Sequence, residues 1–344
     1  MPTILDYYEY AKLATAAYVN LSGFTGSEIA AAANGQERIP LKLAEQMFVF
    51  DAEKNADPWT VRADGYHGND PTGFAATLFE RGSEKVLAIR GTEPTTDLGI
   101  DLLQADLAGI GIMGVAISQA VEMVNYIRRL STPAGQTVDR LQLHASLTVP
   151  SVPSVQAPGK LPGQSVYFYF TSDQVQGLGL IAAGEKITVT GHSLGGHLAA
   201  LAARLFPSLV TDAYTYNAPG FDPSSVSVAG AIPNIGIITE TSLLSALAAG
   251  IDPQVLAMAG GSRQLTEKLV GLFNRYLGFG AAGSFAEVAA RTHNLESENL
   301  EPGDDVSAVS GVFTNAQALP RECLIPTERN SHLMNQRGQH DIHS

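Results

Sequence analysis

A serine attacks a carbonyl well only when its hydroxyl stands clear of its own backbone, beside a base and within reach of amide donors for the oxyanion. The stretch Thr190-Gly191-His192-Ser193-Leu194-Gly195-Gly196 has the residue types for this. An apolar, β-branched run, Ile187 to Val189, leads into Gly-x-Ser-x-Gly, and Leu198, Leu201, Ala202 and Leu205 follow at helical spacing. The pattern therefore predicts a sharp strand-to-helix turn with Ser193 at its apex. Gly191 and Gly195 let strand and helix pass closely, and the helix N-terminus favours negative charge beside Ser193. A bare Gly-x-Ser-x-Gly also arises by chance as an exposed glycine-rich turn, but the strand before it and the helix after it argue against that reading. His192 and His197 flank the serine on diverging sides of the turn, so they are expected to pack and not to act as its base.

The elements that must hold this turn can be read along the chain. Residues 5 to 20 form an amphipathic pattern, a helix over one end of a sheet. After a Gly/Asn-rich break come three strand-like runs, Gln46 to Phe50, Phe74 to Phe79 and Lys85 to Ile89, with Arg81-Gly82-Ser83-Glu84 as a hairpin-like turn between the last two. The third run ends in Arg90-Gly91-Thr92-Glu93-Pro94. Asp97 to Leu107 and Val115 to Leu130 look helical. Gly109, Gly111 and Gly114 follow a helix and not a strand, which removes them as a dinucleotide fingerprint. Residues 131 to 165, with Pro133, Pro150, Pro153, Pro158 and Pro162, are expected to be the least structured part, an insertion within the domain. Tyr167-Phe168-Tyr169-Phe170 reads as a packed aromatic strand or as part of a substrate wall.

Past the elbow helix, Ala213 to Tyr216 reads as a further strand closed by Pro219-Gly220. The chain then leaves the sheet for about seventy residues. Within them Leu265, Leu269, Leu272, Phe273 and Tyr276 form one apolar stripe, and Leu243, Leu244, Leu247 and Ala248 suggest a second helix. Thr292 to Ser297 returns the chain to the sheet.

Composition narrows the partners. With 34 acidic against 21 basic residues the chain carries a net charge of −13, which disfavours nucleic acid or an anionic membrane and suits neutral substrates. Hydrophobic residues make up 45% and charged residues 16%, the balance of a globular chain. Cys323 is the single cysteine, so no internal disulfide can form. No stretch is long and apolar enough to span a bilayer, so no transmembrane segment is expected. The N-terminus lacks a basic n-region followed by an apolar block, so export by a signal peptide is not expected, and the chain would stay inside or leave by a non-classical or C-terminal-signal route. His340 and His343 are two metal ligands at most, and no metal or other cofactor is implied.

Two motifs together carry a resemblance. Ile89-Arg90-Gly91-Thr92 followed by Asp97 and Asp101, with Thr190 to Gly196 downstream, resembles the class 3 (fungal-type) lipases of the α/β-hydrolase superfamily, bacterial members included, from about Phe74 to His332. The resemblance implies oxyanion-hole amides at Thr92 and Leu194 and a triad acid in an Asp-x-Val setting, which Asp304-Asp305-Val306 matches. It also implies a late histidine, which His332 in Asn330-Ser331-His332-Leu333 matches. Elimination among the eight histidines agrees: in the order Ser, acid, His, only His332, His340 and His343 follow the acid loop, and His332 alone has apolar neighbours to anchor it. Asp305 and Asp222 stay open as alternative acids. The resemblance implies a carboxylic-ester hydrolase, a lipase acting on triacylglycerols or similar acyl esters, possessing a Ser193-His332-Asp304 triad. Phospholipase A1, a polyester hydrolase and a catalytically silent binding module of the same fold are the alternatives.

The expected architecture is one α/β domain over residues 1–344, a mostly parallel sheet flanked by helices, with the proline-rich insertion at 131–165 and a helical cap or lid at 222–290. Its expected partner is a neutral ester or lipid at an interface.

Overall fold

A computed structural model describes residues 2–21, 24, 26–35, 39–91, 116–158, 165–218, 262–277, 285–298 and 321–326. Within them a seven-stranded mixed sheet, mostly parallel, runs in the order β1-β2-β3-β7-β8-β9-β10. Its strands are β1 (Thr60–His67), β2 (Ala76–Arg81), β3 (Glu84–Ile89), β7 (Ile187–His192), β8 (Val210–Tyr216), β9 (Thr292–Glu298) and β10 (Arg321–Pro326). The pairs β1·β2 and β2·β3 are antiparallel, and every pair from β3 to β10 is parallel. Gly82, at φ 55°, turns the β2–β3 hairpin in a conformation that side chains disfavour. A second sheet of three antiparallel strands, β4 (Thr137–Ser146), β5 (Ser154–Pro158) and β6 (Ser165–Gln176), has the order β4-β6-β5.

Alternation along the strands sorts residues to the two faces of the large sheet. Val86 and Ala88 of β3 face a cluster with Leu13, Ile29, Met47, Phe48 and Trp59, supplied by α1 (Ile4–Ala16), α2 (Ser27–Gly35) and α3 (Leu41–Phe48) and the chain beyond them. Leu87, Ile89 and Val189 face the main core, built by α4 (Ile117–Ser131), α5 (Leu194–Leu205), α6 (Ser262–Leu277) and the inner side of the small sheet. A seventh helix, α7 (Phe285–Ala289), precedes β9. This is an α/β architecture with helices on both faces of the sheet. Thr3 caps α1 with a reciprocal Thr3–Asp6 pair, a local reason for the helix to begin there.

Three expectations need correction. Gln46 to Phe50 is not a strand: Ala44, Met47 and Phe48 are buried at helical spacing, and α3 covers residues up to Phe48. The Gly/Asn-rich break contains α2. The proline-rich segment is not unstructured, because Arg140 to Ser146 alternates polar and apolar residues and the strand Thr137 to Ser146 pairs along its whole length with β6. Phe168 and Phe170 of β6 are buried in the main core, while Tyr167 and Tyr169 lie half-buried on the opposite face. The stripe of α6 is core as well: Leu269, Leu272 and Phe273 are buried, Phe273 packs on Phe170 at 4.9 Å, and Tyr276 Oη donates to Phe170 O at 2.9 Å. Residues 222–261 of the expected cap, and the expected helices at 97–107 and 243–248, lie outside the described residues. Among the described residues no helix is long and apolar enough to cross a membrane.

Candidate active site

Parallel pairing brings the carboxyl ends of β3, β7 and β8 together, the position at which open α/β sheets bind ligands. Ile89 is in register with Gly191, and His192 with Tyr216. Ser193 follows at φ 55° and ψ −128°, and α5 begins at Leu194. A non-glycine residue in that region costs on the order of 1–3 kcal/mol and persists only where its surroundings over-determine it.

Glycines make those surroundings possible. A Cβ on Gly191 would lie 2.3 Å from the backbone of Gly195, one on Gly195 would lie 2.1 Å from Ile89 O, and one on Gly196 would meet Ala218 Cβ at 2.7 Å. The first turn of α5 is thus wedged between the end of β3 and the residues after β8. The Ser193 amide donates to Tyr216 O at 2.8 Å, and the Gly196 amide donates to Ser193 O at 2.9 Å, which fixes the apex from both sides. Leu194 is buried against Ala116 at the start of α4, so its amide is held rigidly in the first turn, where helix geometry supplies no carbonyl for it.

The neighbouring strand end is held by a residue that sequence reasoning placed in the first helix and gave no role. Tyr18 Oη accepts the Gly91 amide at 3.1 Å and stands 3.3 Å from His192 Nδ1. A Cβ on Gly91 would lie 2.5 Å from that hydroxyl, 2.6 Å from His192 O and 3.4 Å from Ser193 Cβ. Tyr18 therefore ties the N-terminal segment to the end of β3, directly before Thr92, and to the residue directly before Ser193. No local sequence signal marks this, because the three partners are far apart in the chain. His192 is exposed as a residue, while the protein around its ring holds its pKa below the ordinary histidine value. His197 is fully buried on α5.

Of the expected site residues, the structure places Ser193 and Leu194 together at the elbow. Thr92, Asp304 and His332, with the alternative acids Asp305 and Asp222, lie outside the described residues. His293, excluded as the base on sequence order, is in β9 with Nε2 2.9 Å from Asp212 Oδ1. Both residues are near the amino ends of their strands, the opposite end of the sheet from Ser193. Compared with known proteins, the chain matches no family model, no curated protein and no solved structure.

Proposed function

We propose that the chain is a serine carboxylic-ester hydrolase of the α/β-hydrolase fold, a lipase or esterase of the class 3 type. One observation carries the reading: Ser193 is held at φ 55° between β7 and α5, in a turn that three glycines keep tight. Packing alone does not call for a strained serine at the carboxyl edge of a parallel sheet, whereas a nucleophile needs that exposure and that proximity to helix amides.

In this reading Ser193 Oγ attacks the ester carbonyl, and His332 takes its proton and later gives it to the leaving alcohol. Water then attacks the acyl-enzyme, with His332 again as base, releasing the acid and restoring the serine. Asp304 holds the imidazole in the useful tautomer. The Thr92 and Leu194 amides receive the oxyanion, and the clamp of Tyr18 on Gly91 gives the Thr92 side of that pair a fixed starting point. A neutral acyl ester suits a chain of net charge −13.

A fluorophosphonate probe should label Ser193 and no other serine. Ser193→Ala should keep the melting temperature within a few degrees and lower p-nitrophenyl ester hydrolysis by at least about a thousandfold. Retention of more than about a hundredth of the parent rate would remove Ser193 as the nucleophile. A folded parent that neither reacts with the probe nor hydrolyses any ester from C2 to C16 would point to a silent binding module.

A further inference from the structure

The three-stranded sheet turns one face to the main core and the other outward. Because β6 lies between β4 and β5 and buries Val166, Phe168 and Phe170, alternation puts Tyr167, Tyr169 and Thr171 on its outer side. Register then sets His144 of β4 and Ser154 of β5 to the two sides of Tyr169, and Ser146 and Gln156 to the two sides of Tyr167. Tyr169 stacks on His144 with ring centroids 5.2 Å apart, while Ser154, its neighbour on the other side, is too short to cover a phenol ring. Ser146 leaves one side of Tyr167 open in the same way. The two tyrosines are about 7 Å apart along β6, at roughly 3.4 Å per residue, so one extended molecule lying along the strand passes both.

The face is also electrically neutral. Its charged residues, apart from the imidazole of His144, are Arg140 and Asp173, which stand opposite each other and pair through both carboxylate oxygens at the end away from Tyr167. No surplus carboxylate is present here to draw a cation, and the chain as a whole, at net charge −13, repels polyanions.

The polar side chains of the face already hold one another. Gln142 Nε2 donates to Asp173 Oδ2 at 3.2 Å, Thr171 Oγ donates to Gln142 Oε1 at 3.5 Å, and His144 Nε2 lies 2.8 Å from Thr171 Oγ. On the β5 side Gln156 Nε2 donates to Ser165 Oγ at 2.7 Å. Amides and hydroxyls fixed in this way lose little further freedom when a ligand arrives, and they offer both donors and acceptors.

An uncharged sugar chain answers each of these features. A pyranose with equatorial substituents lays its C–H face on an aromatic ring, and its hydroxyls both donate and accept. Single-stranded nucleic acid would also stack on the rings, but its phosphates meet an acidic chain. A polyproline segment would pack on the rings too, but it has no N–H to give to the acceptors of this face.

We propose that the outer face of the small sheet binds a flat, uncharged polysaccharide of the cellulose or xylan type, with sugar rings on Tyr167 and Tyr169 and hydroxyls on Gln142, Thr171 and Gln156. The site is separate from Ser193 and does not rest on the ester-hydrolase reading.

The test is affinity electrophoresis of the whole protein in native gels containing hydroxyethylcellulose or neutral arabinoxylan. At least one polymer should retard the parent, and Tyr167→Ala with Tyr169→Ala should lower the affinity at least about tenfold, as expected for losing two ring contacts. Tyr167→Phe with Tyr169→Phe keeps the rings and should keep most of the retardation. Gln156→Ala, at an exposed position that folding does not depend on, should weaken binding about threefold, the effect of one hydrogen bond. Carboxymethylcellulose, the cellulose backbone made anionic, should bind less tightly than hydroxyethylcellulose. A parent retarded by neither neutral polymer, a folded alanine variant retarded like the parent, or tighter binding of the anionic polymer would overturn the proposal. So would loss of retardation in Ser193→Ala, which would put the sugar at the elbow, or tyrosine-dependent displacement by decaproline, which would make the face a peptide site.

Discussion

The two ends of the seven-stranded sheet are built from different materials. At the carboxyl ends of β3, β7 and β8, backbone packs on backbone: Gly191 on Gly195, Gly195 on Ile89, Gly91 under Tyr18 and against His192. At the amino ends, charges meet carbonyls and carboxylates. Lys85 Nζ reaches Leu180 O at 2.6 Å and Glu185 at 2.9 Å, Arg291 reaches Val210 O at 2.7 Å and Ala203 O at 2.9 Å, and His293 meets Asp212. A glycine contact has no slack, because any side chain added to it strikes backbone that cannot rotate away. A long polar side chain can be shortened and water can take its place. The carboxyl end is therefore the specified end, where tolerance has been exchanged for a fixed serine, and the amino end is where stability is adjustable.

The sharpest way to break this contrast is to place the same methyl group at both ends. Gly195→Ala would force a Cβ to within 2.1 Å of Ile89 O, 2.8 Å of Arg90 C and 2.9 Å of Gly91 N, all backbone. It should cost upwards of about 3 kcal/mol, in the range of severe overpacking, and should remove ester hydrolysis in whatever fraction stays folded. Gly184 precedes β7 at the other end, where a Cβ would meet nothing within 4 Å; its only obstacle is a φ of +79°. Gly184→Ala should cost about 1 kcal/mol and leave activity per folded molecule intact. Equal costs in denaturant melts would mean that the two ends are not differently specified.

A smaller effect is expected at Arg291. Its guanidinium joins the turn before β9 to carbonyls of α5 and β8, and Arg291→Ala should destabilise by about 2 kcal/mol, within the range for hydrogen bonds to a charged group. Arg291→Lys should recover only part of that, because an ammonium cannot span two carbonyls as the planar fork does. Activity per folded molecule should not change in either variant. A loss of turnover without a loss of stability would carry the influence of Arg291 across the sheet and blur the contrast.

What the sequence revealed followed the same division. The elbow was legible because its constraints are local: strand run, glycines, serine and helical stripe fall within about twenty residues. The hairpin β2–β3, the strands β8 and β9 and the cores of α4 and α6 were legible for the same reason. The strand expected over Gln46 to Phe50 failed because a short apolar run cannot distinguish a helix from a strand without its partners, and here the partners are Trp59 and Phe79 of the same cluster. The strands β4 and β5 were hidden by prolines that in fact fall mostly between them, Pro150 and Pro153 in their connection and Pro158 at the last paired residue of β5, while β4 itself has none. Tyr18 carried no signal at all, since its role exists only once residues 18, 91 and 192 are brought together by the fold.

The gentlest test of the contrast is a pH titration of one pair at the adjustable end. The hydrogen bond from His293, followed by its charge and by Thr211 and Arg291, holds the Asp212 carboxyl below its ordinary value against the opposing effect of burial. A carboxylate whose pKa is lower folded than unfolded contributes stability that is fully present above the unfolded pKa, here near 3.8, and is lost as pH falls through the folded pKa. Asp212 is 42% exposed, so solvent screening keeps the contribution below about 1 kcal/mol. Asp212→Asn keeps the shape and an acceptor for Nε2–H but removes the charge. The variant should therefore be slightly less stable than the parent at pH 5 to 7, and the gap should close as pH falls from about 4 downward, because the parent loses its own charge there. Denaturant midpoints across that range measure the gap directly. A gap that stays constant down to pH 2 would mean that the pair contributes through shape and not through charge, and hydrolysis of a short ester should be the same in both proteins wherever both are folded.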